Sequence, residues 1–178
     1  MKKIILTFIV MLVASGVGNA QYLVDSQLFS DGVPEIKIME FGVPDPVRIT
    51  ERKERAHAAF EDGDCTQAIP ELDSLAREAD WYGTLILTGL EPYFQADIRD
   101  KREFTDQRML MPLEARGNEY FVIRNESMVM LAECLSETGD TEAAVSAYIR
   151  VFKAIYINER ALWDRARNGF YELIGFSP

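Results

Sequence analysis

His57 is the only histidine in this 178-residue chain, and the two cysteines are Cys65 and Cys134. A histidine is the side chain best placed to move a proton near neutral pH. General-base or metal chemistry, however, needs a nucleophile or a ligand cluster at a recognisable spacing beside it, and none accompanies His57. The residue is therefore read as a helix-surface imidazole. Glu61-Asp62-Gly63-Asp64 brings acids together, but without the alternating spacing or the distal bidentate glutamate of a calcium loop; it reads as a capped, solvated turn. The cysteines leave two readings open. One is a disulfide closing a loop of 134 − 65 = 69 residues; the other is a pair of buried, unpaired thiols on helices. With no Cys-x-x-Cys pair, redox catalysis has no motif. Phosphate-binding glycine loops, nucleophile elbows and zinc motifs do not occur either, so no catalytic, cofactor-binding or metal-ligating residue is assigned and the chain is read as non-enzymatic.

Composition narrows the classes further. Apolar residues make up 48% of the chain and aromatics 11%, too many for a disordered segment. The formal charge of −10 argues against a nucleic-acid partner, which needs a basic face. Lys2 and Lys3 precede an apolar run from Ile4 to Val13, followed by small residues through Ala20. That layout predicts a secretory signal peptide over residues 1–20, cleaved after Ala20, and a periplasmic destination. The run is too short to span a bilayer. Its removal takes two lysines and no acid, leaving a strongly acidic chain with no expected direct insertion into a membrane.

Between residues 21 and 47 the breakers Gly32, Pro34, Gly42, Pro44 and Pro46 recur too often for a helix, and an extended arm is expected, with Ile36 and Ile38 in a short strand. From residue 48 onward the pattern is helical. Thr50 is read as a hydroxyl cap, with Ala56, Ala59 and Phe60 following at helical spacing. Gly63-Asp64 ends that helix and opens the next, Cys65 to Ala79. Glu119 to Glu137, Gly139-Asp140, and Thr141 to Tyr156 repeat the arrangement. A closing helix covers about 160–174. Residues 81–124 are expected to be an irregular middle, with Pro92 and the knot Met109-Leu110-Met111-Pro112-Leu113 interrupting helical stretches. The fold class is all-α after the arm.

A shift of 139 − 63 = 76 residues lays Gly63-Asp64-Cys65-Thr66-Gln67-Ala68 over Gly139-Asp140-Thr141-Glu142-Ala143-Ala144. A match at fixed offset marks an internal repeat. In the second unit the key places hold Met128, Leu131, Ala132, Leu135, Ala144, Tyr148 and Val151; in the first they hold Ala56, Ala59, Ala68, Leu72 and Leu75. At these residues the chain resembles the tetratricopeptide repeat (TPR) family, with units near 49–80 and 125–158. Arg52 and Arg55 depart from that pattern, standing where large apolar residues are usual. The resemblance implies a short array of antiparallel helix pairs whose concave face receives a peptide or another protein. By position it places Thr50, Lys53, His57 and Phe60 of the first unit on that face, and Glu126, Val129, Glu133 and Ser136 of the second. The implied function is an adaptor or scaffold of the cell envelope. The alternative is a permanent structural or assembly subunit of a larger envelope complex such as a secretion, pilus, motor or respiratory assembly.

Overall fold

The computed structural model describes residues 42–176, apart from 44, 92, 94–95, 104–109 and 157. The expected signal peptide and all of the expected arm up to residue 41 lie outside the described residues, as does Met109. Among the described residues there are six helices and no strand, so the chain is all-α there. None of these helices is long and apolar enough to cross a membrane.

Helix α1, Pro46–Glu61, begins inside the expected arm. The proline that looked like a breaker occupies the first helical turn, where its missing N–H and fixed φ cost nothing. Asp45 caps it, its Oδ1 accepting from Val47 N at 2.9 Å. Thr50, expected as the cap, instead lies one turn inside, and its hydroxyl donates to the Pro46 carbonyl at 2.9 Å. The earlier start buries Ile49. Ahead of the cap, the Trp81 indole donates to the Gly42 carbonyl at 3.4 Å, which ties the entering chain to the next helix.

The two Gly-Asp turns behave alike. Gly63 and Gly139 take φ values of +72° and +81°, which a side chain disfavours. Asp64 accepts from Gln67 N at 3.1 Å and Asp140 from Ala143 N at 3.2 Å, each satisfying an orphan amide of the helix it opens. Those helices are α2, Cys65–Thr88, and, after α3 (Ile98–Glu103) and α4 (Leu110–Glu137), α5, Thr141–Ala154. Helix α6, Arg160–Leu173, closes the chain.

Much of the expected irregular middle is helical. Most of residues 81–124 extend the two neighbouring helices: α2 runs on past Ala79 to Thr88, and α4 starts at Leu110 rather than Glu119. Pro112 falls in the first turn of α4, where a missing amide is tolerated. Among the described residues α2 and α4 pack directly on each other, in the most extensive of the helix contacts.

These two helices run antiparallel. At one end Cys65 and Cys134 are joined in a disulfide. At the other, the backbones approach so closely that a Cβ on Gly83 would lie 2.8 Å from Phe121 Cε1 and 3.0 Å from the Gly117 carbonyl oxygen, and a Cβ on Gly117 would lie 2.8 Å from Leu87 Cδ2. Between these ends Ala68, Leu72, Leu75 and Ala79 of α2 join Met128, Leu131, Ala132 and Leu135 of α4 in the main core, which Ala144, Tyr148 and Val151 of α5 complete. Helix α1 folds back on α2 through the same hairpin geometry. Arg52, at a place where an apolar residue was expected, pairs with Glu71 at 3.1 Å and Glu78 at 3.2 Å. Helix α6 packs on α5 and α4, with Phe170 edge-on to Tyr148 and Phe152.

Charge is buried at the centre of this stack. Arg124 Nη1 donates to Asp80 Oδ1 at 2.8 Å and Arg124 Nε to Asn125 Oδ1 at 2.9 Å. Asn125 Nδ2 passes the network to Glu159 Oε2 at 2.8 Å, which also accepts from Tyr156 N at 2.9 Å. The network thus couples α2, α4 and the turn into α6.

Two stability predictions follow from this packing. Replacing both cysteines by serine should lower unfolding free energy by about 3–4 kcal/mol through the freed loop, read as a lower urea midpoint; reducing agent should then have no further effect on the variant. Arg124→Met should cost about 3 kcal/mol, because removing one partner of a buried pair leaves the other desolvated. Chemical denaturation of wild type and variant measures it.

Candidate functional site

The face formed by α1, α4 and α6 gathers most of the residues that the resemblance assigns to a groove. Successive turns of α1 present Lys53, His57 and Phe60, and α4 faces them with Glu126 and Glu133. Lys53 Nζ lies 3.7 Å from Glu126 Oε2, both side chains more than a third exposed. Such an ion pair contributes little to stability and is free to exchange for a ligand's charge. Two turns further along, Arg165 of α6 reaches Glu133 with both arms of its guanidinium, Nε to Oε1 at 2.7 Å and Nη2 to Oε2 at 2.5 Å. The same guanidinium lies over the Phe60 ring, 5.6 Å from its centroid. Arg165 thereby bridges all three helices.

His57 sits between these two ion pairs. It is half-buried, and its Nε2 is enclosed with no hydrogen-bond partner. Burial, reinforced by Lys53, holds its pKa below the ordinary histidine value of 6.5; Glu126 and Glu61 pull the other way. At neutral pH the imidazole is therefore uncharged. Beyond Glu133 the face opens into a shallow cleft of about 520 Å³ bordered by Ser136, Glu137, Arg165 and Glu172. Tyr148 forms its floor; burial, with Glu133 nearby, pushes the phenol up to about 12, so it remains a neutral hydroxyl.

Two of the expected groove residues stand apart. Val129 is fully buried and belongs to the core. The reason is that α4 is the central helix: it packs against α2, α5 and α6, and residues 127–132 are buried in succession. Thr50 is exposed but beyond the cluster, its hydroxyl already used by Pro46. Conversely, the sequence reading missed Arg165, since nothing local distinguishes it from Arg160 or Arg167 on the same helix; only packing of α6 across α4 selects it.

The acidic turn Glu61-Asp62-Gly63-Asp64 serves as a helix boundary, with Asp64 spent on its cap. Among the described residues no group of three or more His, Cys, Asp or Glu side chains is placed to hold a metal ion. The face thus brings together a neutral imidazole, an aromatic ring and two ion pairs. Compared with known proteins, the chain matches no family model, no curated protein and no solved structure.

The chain's one histidine gives a direct test of this environment. A proton-NMR titration of His57 should give a midpoint below 6.5. Lys53→Met should raise that midpoint and Glu126→Gln should lower it further. Because the folded imidazole holds its proton less tightly than the unfolded one, its contribution to stability is intact above pH 6.5 and is lost as pH falls through the folded midpoint.

Proposed function

We propose that this chain is an exported adaptor of the cell envelope, TPR-like in construction, which binds a segment of another envelope protein on the face between α1, α4 and α6. The observation that carries the reading is the unpartnered imidazole of His57 held between the Lys53–Glu126 and Arg165–Glu133 pairs. Of the two pairs, Lys53–Glu126 is exposed on both sides and can exchange for the charges of a bound segment. The repeat assignment is supported by the paired Gly-Asp turns with left-handed glycines and capping aspartates. It is supported also by burial of the matching places, Ala56, Ala68, Leu72 and Leu75 in one unit and Met128, Leu131, Ala132, Leu135, Ala144, Tyr148 and Val151 in the other. Export rests on the Lys-Lys, apolar and small-residue layout of residues 1–20.

A second reading, a subunit built permanently into a larger assembly, draws on apolar side chains left exposed at both ends of the stack. Met111 and Leu113 stand out at the start of α4, and Tyr156, Trp163, Ile174 and Phe176 around α6. Lone exposed apolar residues are ordinary, but a clustered set marks a surface that a partner covers.

Photo-crosslinking in cells separates these readings. A photoreactive residue replacing His57 should capture another polypeptide, and one replacing Trp163 should not. Capture at Trp163 in a complex of fixed size would favour the built-in subunit. Capture at neither position would remove the adaptor. N-terminal sequencing of the protein recovered from the periplasmic fraction should begin at Gln21.

A further inference from the structure

Beyond the Arg165–Glu133 pair, the cleft between α4 and α6 carries more acid than it neutralises. Glu137 follows Glu133 by one turn of α4, Glu172 follows Arg165 by two turns of α6, and all four border the cleft. Arg165 spends both arms of its guanidinium on Glu133. Glu137 and Glu172 are exposed, and among the described residues no lysine or arginine pairs with either. Glu137 Oε2 lies 3.4 Å from Cys65 Sγ, but that sulfur is in the disulfide and has no proton to donate. The cleft therefore sets three carboxylates against one guanidinium.

Its floor carries a second feature. Tyr148 of α5 is 1% exposed and lines the cleft, yet its hydroxyl makes no hydrogen bond with any described residue. Buried hydroxyls normally have a partner. Gly169, inside α6, makes room for the phenol: a Cβ there would run into the Tyr148 hydroxyl. Glycine is unfavourable in a helix interior, so α6 gives up helix propensity at the place where this hydroxyl meets the cleft. Burial first, then Glu133, Glu172 and Glu137, oppose ionisation of the phenol, with Arg165 favouring it. The carboxylates thus act together on one point, and the neutral hydroxyl there can accept a hydrogen bond.

A ligand that matches this arrangement is cationic and carries several N–H donors, one for the hydroxyl and others for the two unpaired carboxylates. Among the described residues no three acids are placed to hold a metal ion, and an opening of about 520 Å³ takes a side chain rather than a bare ion. We propose that this cleft is a specificity pocket for a basic side chain, lysine or arginine, whose charged head meets Glu137 and Glu172 and donates to Tyr148. The proposal rests on the adaptor reading and adds to it the chemistry of the partner segment. Glu133 and Arg165 border both the His57 face and the cleft, so one bound segment can engage the two together.

The test uses the folded, disulfide-intact protein, isotope-labelled for NMR and held at constant low ionic strength. Three probes are titrated: acetyl-Ala-Ala-Arg-Ala-Ala-amide, its lysine counterpart, and its citrulline counterpart, which keeps the shape of arginine without the charge. The arginine and lysine peptides should shift the Ser136, Gly169 and Glu172 amides and the Tyr148 ring protons saturably, and the citrulline peptide should not. Glu137→Gln combined with Glu172→Gln, both at exposed positions, should weaken binding about tenfold. Tyr148→Phe, which removes only the unbonded hydroxyl, should weaken it about fivefold. Absence of saturable shifts with both basic peptides, equal binding of citrulline, or indifference to the double substitution overturns the proposal. The adaptor reading is judged apart from it, by photo-capture at His57. Capture there without binding of the basic peptides removes the pocket alone; binding of the peptides without capture keeps the pocket and removes the adaptor.

Discussion

The antiparallel contact between α2 and α4 is the constraint on which the rest of the molecule depends. It is fastened in three different ways along its length: the Cys65–Cys134 bond at one end, the Asp80–Arg124 pair in the middle, and a glycine-on-glycine approach at Gly83 and Gly117. Each device acts at a different level. The covalent link removes conformations from the unfolded chain. The ion pair penalises any register other than the one that satisfies both charges. The glycines permit backbone approach and so bring Phe121 and Leu87 into contact as a second, smaller core. Every other long helix then needs only a short turn to fold back: α1 onto α2, and α5 onto α4.

Making α4 central has consequences for both candidate surfaces. Packed against α2, α5 and α6, it carries an unusual load of buried polar groups, including Arg124, Asn125 and Ser127. On one side those groups knit α2, α4 and the approach to α6 into a single network. On the other, α4 contributes only the residues near the ends of its exposed strip, Glu126 and Glu133, to the face around His57. The face is consequently a patchwork of charge around one aromatic and one imidazole, rather than a long apolar groove. Specificity on such a surface comes from matching charge and hydrogen bonds more than from buried area.

What could be read from the residues alone was whatever is decided within about four positions along the chain. The Gly-Asp turns, their caps and the apolar stripes of α1, α2, α5 and α6 are of that kind, because left-handed glycine, capping and helical periodicity are local. The all-α class follows from them. The lengths of α2 and α4 were not legible, since Glu78, Asp80 and Arg124 interrupt the apolar pattern and are tolerated in the interior only beside partners far away in sequence. For the same reason Val129 looked like a groove residue until the packing of α4 showed it buried, and Arg165 looked like any surface arginine until α6 was laid across α4. Asp80 and Arg124 are 44 residues apart, Glu133 and Arg165 are 32 apart, and Cys65 and Cys134 are 69 apart. Over such separations a residue's environment is set by which helices meet, and that meeting is a property of the packed chain.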